Sequence, residues 1–355
     1  MSTSVFLDMA RRGRRAPLAT DLVLHEKDDP EAARQDGGRL ADVLIESARR
    51  WDLPFAFPLM DLRLDKADLL ARVGILDEDQ ADRFHFDGPP DAETLRALHR
   101  AEGPLCAGSV ARDEALRVVA REGDLVPMGM AIGPFSLATK LMADPITAAA
   151  MLGSGVARDE DPGVSLLCHA LEMAEGVITA SVHRQVEAGA RAMLICEPTA
   201  SLSYLSPRQI RAGSHIFENL VLKPNGRIKA ILDRANVAFF FHDCGELTPE
   251  MVREFGHFLR PAVLSLGSSR VLWEDAKLVP NDVVLYGNLP SKSFYSDADL
   301  PVEEVRRRTT ELIGAMKSCG HAHITGTECD VLHVPGAADT IRAKVDAMVA
   351  APSPS

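Results

Sequence analysis

The sequence predicts an α/β fold: a single (β/α)8 barrel of the TIM type with a helical N-terminal extension. Short apolar runs recur from about residue 125, and each is followed by a helical stretch. Buried parallel strands have this texture, because helices on the outside leave them no face toward solvent. Six such runs, with one or two less distinct ones, favour a closed barrel over the alternative of an open doubly wound sheet. The first strand-to-helix turn, Gly133-Pro134-Phe135, also lacks the G-x-G-x-x-G pattern of a nucleotide-binding sheet.

Residues 1–120 read as mostly helical and polar and form the extension, 121–350 form the barrel core, and 351–355 form a disordered tail. Asp29-Pro30-Glu31 opens a helix, with proline just inside its start and acids in the first turn. That helix continues through Leu40, Val43, Leu44 and Ala48, an apolar stripe spaced to face a core. Pro54 to Asp61 is short and extended. Leu64 to Val73 and Ala92 to Leu98 are helical, with the Gly88-Pro89-Pro90 turn between them. The barrel strands are Leu125–Ile132, Arg191–Cys196, Val237–Phe241, Ala262–Leu266, Asp282–Tyr286 and His321–Thr325. About 40 residues separate Ile195 from Val237, room for two helices.

Charge narrows the function. The 355 residues include 39 basic and 51 acidic side chains, a net charge of −12. A nucleic-acid binder needs a basic face to neutralise phosphates, so no nucleic-acid partner is expected. A small anionic ligand needs only a local positive spot. No run approaches the roughly 18 consecutive apolar residues of a membrane span. The N-terminal stretch MSTSVFLDMARRGRR sets its charges after a short apolar segment, the reverse of a secretory signal, and a cytoplasmic location is expected. The six cysteines are then reduced thiols, serving as packing groups, metal ligands or reactive groups.

Barrel enzymes do their chemistry at the C-terminal ends of strands. His242 and Cys244 end the buried run Val237–Phe241, and at i and i+2 they point to one face. Cys329, at the end of another strand, can add a second thiolate. Two sulfurs and one nitrogen suit zinc and leave a fourth position open. H-x-C alone reads equally well as core residues in a tight turn; Cys329 shifts the balance toward the metal. Glu197 also stands at the active face, as a fourth ligand, a base for an incoming thiol or a solvated loop acid. Cys196 beside it reads as a packed thiol. Cys106, Cys168 and Cys319 read as structural, and His321 and His323 begin their strand, on the face that serves stability. Asp243, Glu328 and Asp330 point away from the ligand face by alternation.

These residues resemble a known family. H-D-C-G (242–245), Y-G-N-L-P (286–290) and T-E-C-D-V-L-H-V-P-G-A (327–337) are similar to the uroporphyrinogen decarboxylase superfamily, in particular its zinc-dependent corrinoid methyltransferase branch. G-P-F-S-L-A (133–138), E-P-T-A-S (197–201), Leu205-Ser206-Pro207 and Met60-Asp61-Leu62 fit the same pattern. The likeness runs from about residue 15 to 350 and is looser before residue 120. It implies one β/α barrel, catalytic zinc on His242, Cys244 and Cys329, and methyl transfer between a corrinoid and a thiol. Glu197 takes the catalytic position, and Gly133, Phe135 and Asn288 are the expected cofactor contacts. No D-x-H-x-x-G corrinoid segment occurs, so methylcobalamin should arrive free or on a separate corrinoid protein. The surroundings of Cys329 differ from those of coenzyme M enzymes, which leaves coenzyme M, tetrahydrofolate or another small thiol as acceptor. His333, just beyond, reads as a loop histidine or a substrate contact. The superfamily's metal-free decarboxylase branch uses an R-Q-A-G-R loop. Arg34-Gln35-Asp36-Gly37-Gly38-Arg39 imitates it with one residue extra and Asp in place of Ala, inside a helical pattern, and reads as a chance likeness.

Overall fold

The six apolar runs all become parallel strands, and two further strands come from the N-terminal region. The computed structural model describes residues 2–100 and 103–353. In chain order its strands are β1 (Arg15–Ala16), β2 (Phe55–Ala56), β3 (Val126–Ile132), β4 (Ala192–Cys196), β5 (Ala238–Asp243), β6 (Val263–Leu266), β7 (Val284–Leu289) and β8 (His323–Thr327). They form a sheet ordered β1-β8-β7-β6-β5-β4-β3-β2, with every neighbouring pair parallel. The sheet curls and helices cover its outside, which makes an α/β barrel of the TIM type. No ladder joins β1 to β2 among the described residues. Side chains span that seam instead, with Thr20 Oγ1 donating to Phe57 O at 3.1 Å.

β1 and β2 lie inside residues 1–120, so that region supplies the first quarter of the sheet as well as helices. Two residues are too few to leave an apolar run in the sequence, which is why only Pro54 to Asp61 hints at a strand. The expected helix from Asp29 is also two helices, Pro30–Gln35 and Gly37–Arg50. Asp36 breaks them: its carboxylate accepts from the Arg39 amide at 2.9 Å and caps the second. The predicted tail is partly anchored, since Ala351 is buried and Arg15 donates to Ser353 Oγ at 3.1 Å. Residues 354–355 lie outside the described residues.

Alternation on β5 decides the interior. Phe240 points inward, with its ring 5.3 Å from Tyr286 and 5.8 Å from Phe6 of the N-terminal helix. Phe241 points outward and packs on Phe255 at 4.8 Å. Phe6, Phe55, Phe57, Phe240 and Tyr286 thus fill the barrel with edge-on and tilted aromatic contacts. Gly326 makes the room, because a Cβ there would lie 2.2 Å from Tyr286 Cζ. Among the described residues one helix, Pro162–Glu187, is long and apolar enough to cross a membrane by length and composition alone. Its apolar side is spent on β3 and on the helix Pro134–Thr139.

Candidate metal centre

His242 continues the inward face of β5 one step above Phe240, and Cys244 follows just past the strand end. Both therefore sit at the C-terminal mouth, as i and i+2 spacing requires. Cys329 comes from the loop after β8. The three ligand atoms lie within 4.8 Å of one another, and the two sulfurs are 4.0 Å apart. A tetrahedral zinc with sulfur ligands needs a ligand–ligand edge of about 3.8 Å.

The imidazole is set for a ligand. Ser265, paired with His242 in the β5–β6 register, places its Oγ 2.8 Å from His242 Nδ1. Nε2 is buried and has no hydrogen-bond partner among the described residues. A buried imidazole nitrogen left without a partner is costly unless something binds it. The two thiols share a hydrogen bond, which pulls Cys244 below the ordinary thiol range and pushes Cys329 above it. These donors fit a divalent ion that prefers nitrogen and sulfur.

Glu197 stands directly after β4 and is completely buried. One carboxylate oxygen accepts from the Ser136 amide, and the other accepts from Asn225 Nδ2 at 2.7 Å. Burial pushes its pKa up to about 7 against those hydrogen bonds. It is not a solvated loop acid and does not belong to the three-ligand cluster. Gly133 makes its place possible, since a Cβ there would lie 2.0 Å from Glu197 Oε2.

A model of the uroporphyrinogen decarboxylase (URO-D) family matches residues 89–351. The chain belongs to that family. Residues before 89, where the resemblance is looser, fall outside the match. Among solved structures, a methyltransferase from Methanosarcina mazei superposes with a TM-score of 0.67 at 15% identity, covering 98% of each chain. A candidate vitamin-B12-independent methionine synthase from Listeria monocytogenes superposes with a TM-score of 0.43 at 12% identity, over 80% of this chain and 86% of that one. None of the curated proteins matches the sequence.

In this URO-D family member the expected cofactor contacts have structural work. Phe135 is completely enclosed in the core rather than lining the mouth. Gly133 houses Glu197. Asn288, half-buried at the end of β7, donates its amide to Gly267 O and Arg270 O, both at 2.8 Å, and so holds the loop after β6. Cys196 is fully buried and outside the cluster, and burial keeps its thiol protonated. Cys106 is buried and Cys168 half-buried, whereas Cys319 is exposed at the end of its helix and is no packing group. His333 stacks on His25 with ring centroids 4.5 Å apart. Arg34 reaches Asp61 at 3.1 Å, and Arg63 pairs with the same carboxylate.

Two residues at the mouth lie beyond the reach of sequence reasoning above. Ser265 is the one polar residue of an apolar strand, which is a usable signal. Lys292 lies in the turn after β7, where the nearby Cys244, Glu328 and Cys329 raise its pKa against partial burial, and no sequence pattern marks it.

Proposed function

We propose that this protein is a zinc-dependent methyltransferase. It moves a methyl group between a corrinoid and a thiol or related acceptor, such as coenzyme M or tetrahydrofolate. The observation that carries the reading is His242 Nε2, buried without a partner and facing two thiols. His242, Cys244 and Cys329 would hold the ion. Zinc bound there supplies Lewis acidity that keeps a thiol deprotonated and nucleophilic at neutral pH.

The chain's own residues do the rest. Ser265 fixes the imidazole so that Nε2 offers its lone pair outward. Phe240 and Tyr286, both completely buried, close the barrel beneath the ligands and keep water from that side. The mouth above is where a corrinoid, free or on a separate carrier protein, would present its methyl group. The methyltransferase from Methanosarcina mazei shares the fold, and that likeness supports the reading. The metal-free decarboxylase reading needs arginines free to take substrate carboxylates. Arg34 and Arg63 are both paired with Asp61, which favours the first reading.

The test is spectroscopic. Zinc-loaded protein mixed with methylcobalamin and a panel of thiols should convert methylcobalamin to cob(I)alamin with at least one of them. No spectral change with any thiol or folate acceptor, at about one zinc per chain, would sink the proposal.

A further inference from the structure

Resting on the metal centre of that reading, we propose that Glu328 is the positioning residue that sets the distance between its two thiolates. Cys244 and Cys329 reach the mouth on separate segments, one just past β5 and the other just past β8. Their sulfurs nevertheless stand 4.0 Å apart, close to the edge of a tetrahedral zinc site. Glu328 lies next to Cys329, is 5% exposed and is not one of the three ligands. Its own amide donates to Leu289 O at 2.8 Å, which carries the β7–β8 ladder one residue past the strand. One carboxylate oxygen then accepts from the Ser268 amide at 3.1 Å and from Ser268 Oγ at 2.6 Å. The other accepts from the Lys292 amide at 3.4 Å. The side chain thus gathers the loops after β6 and β7 onto the segment that carries Cys329.

The loop after β6 is the link to the other thiolate. Gly267, directly before Ser268, packs against the backbone of Cys244. A Cβ at Gly267 would lie 2.7 Å from Cys244 O and 3.1 Å from Cys244 Cα. Asn288 secures the same glycine by donating to its carbonyl at 2.8 Å. A continuous path therefore runs from Cys329 through the Glu328 carboxylate, Ser268 and Gly267 to Cys244. Hydrogen bonds to a carboxylate are shorter and stronger than neutral ones, and burial strengthens them further. Two thiolates repel each other until a cation lies between them. Segments already held at the right spacing take up the ion without a closing step.

The test loads the full-length protein with zinc or cobalt(II). Affinity is read by chelator competition, ligand geometry by the cobalt absorption spectrum, and stability by urea unfolding. Glu328→Ala should weaken metal binding about ten- to a hundredfold and shift the cobalt bands, because the sulfurs lose their spacing. Glu328→Gln keeps an oxygen for Ser268 and should restore most of the loss. Ser268→Ala removes the shortest of the three bonds from a residue exposed to solvent, so the fold survives. It should weaken binding about threefold or more, and it should add nothing to Glu328→Ala. Unchanged metal affinity and spectrum in Ser268→Ala overturn the inference, even where Glu328→Ala fails to fold. So does a lower urea midpoint in Glu328→Ala with affinity and cobalt spectrum intact, because the carboxylate would then only brace the fold. In both cases the wild-type protein still binds metal, and the metal centre stands. Wild-type protein that takes up no zinc overturns the centre itself, and this inference with it.

Discussion

His242 Nδ1 and Ser265 Oγ lie 2.8 Å apart across one rung of the β5–β6 ladder. Parallel register brings the serine opposite the histidine, and the hydroxyl fixes which imidazole nitrogen is free. Such outer contacts are worth about ten- to a hundredfold in metal affinity. Ser265→Ala should therefore weaken zinc binding by about that factor while the fold survives. A competition titration with a chromophoric chelator measures it, and an unchanged zinc affinity would mean that the serine does not orient the ring.

The ligands themselves should behave as a unit. His242→Ala and Cys329→Ser each remove one of three donors, and three is already the minimum for a catalytic zinc site. Both variants should purify with little or no zinc and lose methyl transfer by several orders of magnitude. Metal analysis and the cob(I)alamin assay, run side by side, measure the two losses. Turnover surviving both substitutions in zinc-free protein contradicts the mechanism.

Gly133 and Glu197 form a second coupled pair, of packing rather than metal. Gly133→Ala would put a methyl group 2.0 Å from Glu197 Oε2, with no space to relax around a fully buried carboxyl. Overpacking of this kind costs about 1–3 kcal/mol. Denaturant unfolding should show the midpoint falling in Gly133→Ala, and falling less when Glu197→Ala is added, because the clash is then gone. Strictly additive losses would show that the two sites are independent.

The residues legible in the sequence share a property: their chemistry shows in type and local spacing. Leu125–Ile132 or Val237–Phe241 needs nothing beyond apolar runs of strand length, and His242 with Cys244 needs only the two-residue period. β1 and β2 have two residues each, so their placement depends on what they meet: β8 beside one and β3 beside the other. The same holds for Ser265, whose meaning comes from register, and for the turn that carries Lys292, which Ser291 ties to Cys329 O and a buried lysine some 50 residues on holds at Phe294 O. Phe135 and Asn288 show the converse. Family-like motifs mark them for a cofactor, yet their side chains pack the core and brace a loop. The apolar pattern also starts the last strand two residues early, at His321 rather than His323, because Ala322 extends it backwards.

His323 offers a pH test of that strand start, away from the metal centre. It is buried, its Nε2 donates to Gly287 O at 2.9 Å, and burial lowers its pKa to about 4. An unfolded histidine titrates near 6.5. Between those values the unfolded chain binds more protons than the folded one, so stability falls as pH falls from about 6.5 to 4. The full loss from this group is about 3 kcal/mol. Glu197 acts in the opposite direction: its pKa is raised to about 7, so its contribution is lost as pH rises from the usual carboxylate range through 7. The difference between variants isolates the histidine. His323→Gln retains an amide donor for Gly287 O but has no proton to gain, so it should lose less stability than wild type between pH 7 and pH 4.5. Urea unfolding at the two pH values reads that difference directly, and parallel losses in the two proteins would place the acid sensitivity elsewhere.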